Sequence, residues 1–546
     1  MDTDLWIQPP VDGTTVALPP DAPPDLQVRR QAPRPLRPDQ ADLGTPLPDG
    51  RAAPPPDGSA GARSLVVIGD SITQGFQSLA IHRTQLSWPT MVARALEMDF
   101  TYPTFDGPQN VPGLPVNLEA LARSVEASIK DRPLPFEDLH VLRTAISSLE
   151  DVRHFWEKGD GSVLSGSDTY YDNLAIWGWD IRDAISKSRE WCQGKVAAHE
   201  ALLKRLTVSN QLMVSHANER TALRTLWNAA DPEPSRTQVD AMKYLGSRPD
   251  GRGIDTLVIA LGANNALGSV ASMSISWSGD DFQDVDKKSQ YNVWTPQHFA
   301  IELELLADEV LNAKANRTLW LTVPHVTVVP LLRGVGEKPY YSRYFPRYTR
   351  PWISDADFDA DIHNSMTGDD ARLIDAAIDQ YNWAIKQRVH DERLRGSDWY
   401  VVDLCGLLDR VAYRRYLASA QSRPDWWTDF GEADVLPPEL LAMSPRPDTR
   451  FFASDKKGRT QGGLIALDGV HPTTIGYGLI AREVLEVMKL AAVPGAAEAS
   501  IDFGTLLAED TLNSDPPAQI SEDGRMIGML NRAVDVVEVL FGMKPT

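Results

Sequence analysis

The chain holds two stretches whose residue types suit nucleophilic catalysis. Gly69-Asp70-Ser71-Ile72-Thr73-Gln74-Gly75 sets a serine between glycines, directly after an apolar run. A serine hydroxyl is a weak nucleophile until a base takes its proton. Asp468-Gly469-Val470-His471-Pro472 offers that base. An aspartate and a histidine three apart, with a glycine between them, can share one tight loop. The carboxylate then accepts from histidine Nδ1, fixes the tautomer and stabilises the imidazolium that forms. Pro472 biases His471 toward extended backbone and suits the first position of a following helix. Ser71, His471 and Asp468 are thus candidate nucleophile, base and orienting acid for acyl transfer. Asp70, adjacent to Ser71, should point away from it and is read as a support of the site, not as the acid of the relay.

These residues need a frame that brings both stretches together. Ser64–Gly69 is a short apolar, β-branched run ending at glycine, as expected for a buried parallel strand. Similar runs recur at 173–176, 256–261, 318–323 and 399–404, with helical patterns between them near 87–98, 181–206, 296–314 and 370–392. Strands alternating with helices predict an α/β fold, a parallel sheet covered on both faces. Ligands of such sheets bind at the carboxyl ends of the strands, where Ser71 stands. The spacer after the first strand is long and carries further helical patterns near 117–130 and 136–157.

The chain resembles the GDSL or SGNH hydrolase family. Its opening block is similar to Val67-Ile68-Gly69-Asp70-Ser71-Ile72-Thr73-Gln74-Gly75, and its closing Asp-x-x-His block to Asp468 and His471. Asp172-Asn173-Leu174-Ala175-Ile176-Trp177-Gly178 resembles the strand that ends in the family's oxyanion glycine, and Gly262-Ala263-Asn264-Asn265 its Gly-x-Asn block. The resemblance implies a Ser71-His471-Asp468 triad. It also implies an oxyanion hole made of the Ser71 and Gly178 amides and Asn264 Nδ2, and a three-layer, flavodoxin-like, doubly wound fold. It anchors residues 64–270 and 465–485. Acyl transfer builds negative charge on a carbonyl oxygen, and each preorganised donor contributes roughly 10²–10³ in rate. The expected activity is hydrolysis of carboxylic esters or thioesters without metal or cofactor. An acyltransferase using the same triad and a catalytically idle interaction protein are the alternatives.

Other chemistries find less support. There is no Gly-x-Ser-x-Gly elbow, and Gly476–Ala481 fits a dinucleotide pattern only inside a helix with no strand before it. His199-Glu200 lacks a second histidine at position 203, which is leucine, so it makes no zinc motif. With 54 basic and 75 acidic side chains the net charge is −21, which disfavours binding to nucleic acid. Cys192 and Cys405 are too few for a disulfide framework and are read as buried free thiols. Neither a secretory signal nor an apolar run of about 18 residues is recognisable, so a cytoplasmic protein without a membrane span is expected.

The hydrolase domain is expected over 61–495, interrupted by insertions at about 100–170, 268–295, 333–366 and 412–464. Residues 1–60 carry 14 of the 40 prolines and are read as a disordered tail. Residues 496–546 form a helical extension, ending in an amphipathic pattern over 526–541. The insertions are aromatic: Pro339–Trp352 interleaves tyrosines with arginines, and Trp426 and Trp427 follow the fifth strand. Tyr344, Trp426 and Trp427 are candidates for a lid or pocket wall over a sizeable substrate, and His325, after the fourth strand, for a pocket-lining position.

Overall fold

A computed structural model describes residues 18–29, 32–48, 64–129, 139–164, 168–203, 214–231, 233–248, 251–340, 342–521 and 528. The fold is α/β. Its centre is a parallel sheet of β1 (Leu65–Gly69), β2 (Thr256–Ala260), β3 (Arg317–Leu321) and β4 (Trp399–Val402), hydrogen-bonded in that order. The pairing runs Gly69 to Ala260, Ile259 to Trp320 and Leu321 to Val402, so the strand ends that carry the loops lie in one row. The expected strand at 173–176 is an extended segment along the free edge of β1. Val67 N donates to Asp172 O, Leu174 N to Val67 O, and Ile176 N to Gly69 O at 3.1 Å.

Each strand is apolar on both sides because both faces are buried, as period-two alternation requires. On one face Val66, Ile68, Leu257, Ile259, Trp320 and Val401 meet helices α2 (Gln238–Gly246), α3 (Pro296–Asn312) and α4 (Gly368–Leu394). On the other, Val67, Val258, Leu319, Leu321 and Val402 meet α1 (Trp88–Ala95), α5 (Leu404–Val411) and α6 (Thr474–Leu490). The single helix expected over 181–206 divides into Ile181–Ser186 and Arg189–Leu203, where Ser188 bridges to Thr237. The insertion after β3 folds into a small antiparallel sheet of Arg333–Val335, Arg347–Thr349 and Met366–Thr367.

The tail expectation needs correction over 18–29 and 32–48. Leu26, Ala32, Ala41 and Leu43 are buried against the domain. Ala41 O accepts from Val401 N of β4 at 2.8 Å, Ala32 O from Trp426 Nε1 at 3.1 Å and Thr45 O from Arg393 Nε at 2.7 Å. Proline removes backbone donors but leaves every carbonyl, so a proline-rich strap can serve as a strip of acceptors. Its Leu36 N–H is taken by Asp403 Oδ2 at 2.6 Å and its Gln27 N–H by Gln380 Oε1 at 2.7 Å. Residues 1–17, 30–31 and 49–60 of the expected tail, and the amphipathic pattern over 526–541 apart from residue 528, lie outside the described residues. Cys192 and Cys405 are free and buried, and among the described residues no helix is long and apolar enough to cross a membrane.

Candidate active site

Ser71 begins a single helical turn, Ser71–Gln74, at the carboxyl end of β1. Asp70 caps that turn by accepting from Ile72 N at 3.1 Å, and Gly75 ends it at φ +88°, a conformation that favours glycine. The Asp70 side chain is thereby turned back on its own loop, as expected from its position beside Ser71. Burial pushes the Asp70 carboxyl up to about 7, against the opposing pull of the Ile72 amide and of His471.

The second loop is built by Asp468. Its Oδ1 accepts from Val470 N and His471 N, each at 2.9 Å, which closes the turn around Gly469 at φ +70°. Its Oδ2 accepts from His471 Nδ1 at 3.1 Å and from Leu79 N at 2.9 Å. The other ring nitrogen, Nε2, lies 2.9 Å from Ser71 Oγ. Serine, histidine and aspartate thus stand in one hydrogen-bonded line, at 5%, 3% and 1% exposure, where bulk water competes little for these bonds. Burial alone would raise the Asp468 carboxyl. The charge of His471, its hydrogen bond and the backbone donors outweigh burial and hold the group below the usual carboxylate range. Phe76 packs on the imidazole at 4.6 Å between ring centres, and Tyr477 Oη donates to Phe76 O.

The oxyanion candidates sit on the neighbouring strand ends. Ile176 N on Gly69 O places Gly178 two residues beyond the same point at which Ser71 leaves β1. Gly178 has φ +75°, and an added Cβ would meet Asn218 Nδ2 at 3.1 Å. Among the described residues no acceptor takes the N–H of Ser71 or of Gly178, so both amides keep a donor to offer. Asn264 follows β2, the strand beside β1, and spends one Nδ2 hydrogen on Trp179 O at 2.8 Å. An amide nitrogen carries two hydrogens, which leaves one.

Trp177 and Trp179 flank Gly178 and are both buried. Trp177 Nε1 donates to Thr221 Oγ1 and Trp179 Nε1 to Asn218 Oδ1, each at 2.9 Å, while Asn218 Nδ2 donates to Trp177 O. The bulky neighbours therefore pin the glycine turn from the helix Ala217–Thr225. Sequence reasoning missed Asn218 and Leu79. Leu79 and Ser78 have φ of +64° and +50°, unusual for side-chain-bearing residues, and this conformation holds the Leu79 N–H on Asp468. Neither residue type carries a signal of that role.

The residues expected to line the substrate pocket are engaged in contacts of their own. His325 is 1% exposed, with Nδ1 on Asp409 and Nε2 on Asp379, both at 3.0 Å. Burial opposes its charge, yet Asp409 and the surrounding groups hold its imidazolium form well above the ordinary range. Tyr344 is buried and donates to Asp375 Oδ2 at 2.9 Å, beside Arg415 on the same carboxylate at 2.8 Å. Trp426 is bonded to Ala32 O and packs with Trp427, Tyr416 and Phe430. None of the four makes a hydrogen bond or ring contact with Ser71, His471 or Asp468. Two buried polar networks and the proline-rich strap claim these side chains. His325, Cys405 and Asp409 present ligand-type atoms within 4.8 Å of one another. Both imidazole nitrogens already face carboxylates there, so the arrangement reads as an ion-pair cluster.

The chain matches no protein-family model, no curated protein and no solved structure.

Proposed function

We propose that this chain is a serine hydrolase of carboxylic esters or thioesters, of the GDSL or SGNH type. The observation that carries the reading is the continuous line Ser71 Oγ, His471 Nε2, His471 Nδ1, Asp468 Oδ2, at 2.9 and 3.1 Å. The sheet supports it. With the segment 172–176 counted as the second strand, the order along the sheet is 2-1-3-4-5, the flavodoxin-like arrangement.

In this mechanism His471 Nε2 takes the Ser71 proton as Oγ bonds to the substrate carbonyl carbon. The carbonyl π pair moves to oxygen, where the Ser71 and Gly178 amides and the remaining Asn264 hydrogen meet it. Asp468 stabilises the imidazolium without itself taking the proton. His471 then protonates the leaving alkoxide or thiolate as the tetrahedral intermediate collapses. Water, deprotonated by the same nitrogen, releases the acid and restores Ser71.

Two measurements test this. Purified chain should hydrolyse p-nitrophenyl esters or acyl thioesters. A fluorophosphonate should add once to the protein, at Ser71 by peptide mass, and not to Ser71→Ala. A folded protein that neither turns over nor labels would remove the reading.

A further inference from the structure

A cavity of about 790 Å³ lies apart from the triad, between the insertion after β3, the start of α4, the insertion after β4 and the proline-rich strap. None of its lining residues belongs to the proposed catalytic or oxyanion set. Four guanidinium groups border it, those of Arg29, Arg343, Arg372 and Arg423, with Asp425 the one acid on its wall. In a chain of net charge −21 this is a local reversal of sign.

The deepest of the four is the informative one. Arg343 is 8% exposed, and its buried Nε and Nη1 have no hydrogen-bond acceptor. The carboxylates behind it are engaged with other cations. Asp375 holds Arg415 at 2.8 Å, and Asp379 and Asp409 each hold His325 at 3.0 Å. Asp375 and Asp379 help keep Arg343 charged but accept none of its hydrogen bonds. Tyr416, another wall residue, has a buried hydroxyl whose neighbour is the Arg343 guanidinium, and among the described residues no carboxylate or carbonyl accepts from it. Leaving such donors unpaired inside a protein is costly, and more so when they are ionic. Three cations, Arg343, Arg372 and Arg415, stand 5.1–5.5 Å from the ring centre of Tyr344, which stiffens the wall that presents them. Arg423 is fixed by its bonds to Tyr416 O and Leu417 O.

We propose that this cavity is a second binding site, for an organic anion bearing a carboxylate or phosphate group. The oxyanion sits against Arg343 and Tyr416, where planar guanidinium donors match its geometry, and the body of the ligand lies against the tyrosine rings. The size is that of a small-molecule site. The proposal stands independently of the hydrolase reading.

The test is calorimetric titration of the full chain, at low ionic strength, with benzoate and with phenyl phosphate, using benzamide and phenol as uncharged counterparts. At least one anion should bind and raise the melting temperature, and which of them binds more tightly separates carboxylate from phosphate. The uncharged counterparts should not bind. Arg343→Gln should abolish binding. Arg372→Gln, at the solvent-facing mouth with its side chain 33% exposed, should weaken it about tenfold, the loss of one charge-assisted contact of roughly 1.4 kcal/mol. If Arg343→Gln does not fold, judged by circular dichroism, Arg372→Gln decides alone. Absence of binding by both anions, equal binding of the uncharged counterparts, or affinity unchanged in Arg372→Gln overturns the proposal.

Discussion

Removing Oγ from Ser71 leaves His471 Nε2 facing no nucleophile, and removing the imidazole leaves Oγ with its proton. Ser71→Ala and His471→Ala should therefore each abolish nearly all ester hydrolysis, and the double variant should be little worse than either, because such groups act as a unit. Asn264→Ala should cost about 10²–10³ in kcat with a smaller change in KM, measured by steady-state kinetics. Asp70 makes a different prediction. Its folded-state value near 7 lies above that of an unfolded aspartate. The folded chain then binds more protons between the two values, so this group's contribution to stability declines as pH rises from about 4 to 7 and stays low above. Asp70→Asn keeps the cap but removes the titration. Its melting temperature should gain on the parent at pH 8 relative to pH 5, by thermal unfolding, and a constant difference would refute the assignment. The triad was legible in the sequence because Asp468 and His471 are local to one turn and Ser71 follows a recognisable strand. The Leu79 amide on Asp468 was not, since a backbone donor has no residue type to announce it.

Elements decide how accurately those residues are aimed. The extended segment that delivers Gly178 is less regular than the strands, meeting β1 at one bridge, Val67 with Asn173, and at the further bond from Ile176 N to Gly69 O. What fixes its end is lateral. Gln74 Oε1 accepts from Trp177 N at 2.9 Å, and Asn218 bonds on both sides of the glycine, to Trp177 O and from Trp179 Nε1. Asn218→Ala should therefore lower kcat by about tenfold while KM holds, because it loosens a donor needed chiefly in the transition state. A fall in stability with normal kcat would confine Asn218 to scaffolding. All four strands of the central sheet, and the extended segment at 173–176, were readable as short apolar runs. The wall around Gly178 was not, because the helix Ala217–Thr225 joins it through contacts about forty residues away in sequence, which no local pattern records.

At the scale of the whole molecule, the proline-rich strap changes what the chain's beginning is for. Composition argued that so proline-rich a segment could not repay its ordering entropy. It misjudged the case because a few apolar side chains, Leu26, Ala32, Ala41 and Leu43, reach the core while the carbonyls between them serve donors on the domain. The most consequential of those donors is Val401 N. It points away from β3, on the outer edge of the sheet, and without Ala41 O it would be an unpaired edge group. Unprotected strand edges are templates for association with other chains. The strap also ties the insertion after β4 to the domain through Trp426 Nε1 and an ion pair of Arg34 with Asp429 at 3.1 Å. Deleting residues 1–48 should therefore lower the melting temperature by several degrees in calorimetry. It should also raise the fraction of associated species in light scattering. Ala41→Pro tests the edge more narrowly. It keeps the carbonyl, and the residue's N–H donates only to Pro38 O within the turn, so its cost should be far smaller than that of the deletion. An intact melting transition and a monodisperse profile after the deletion would mean that the domain closes its edge without the strap.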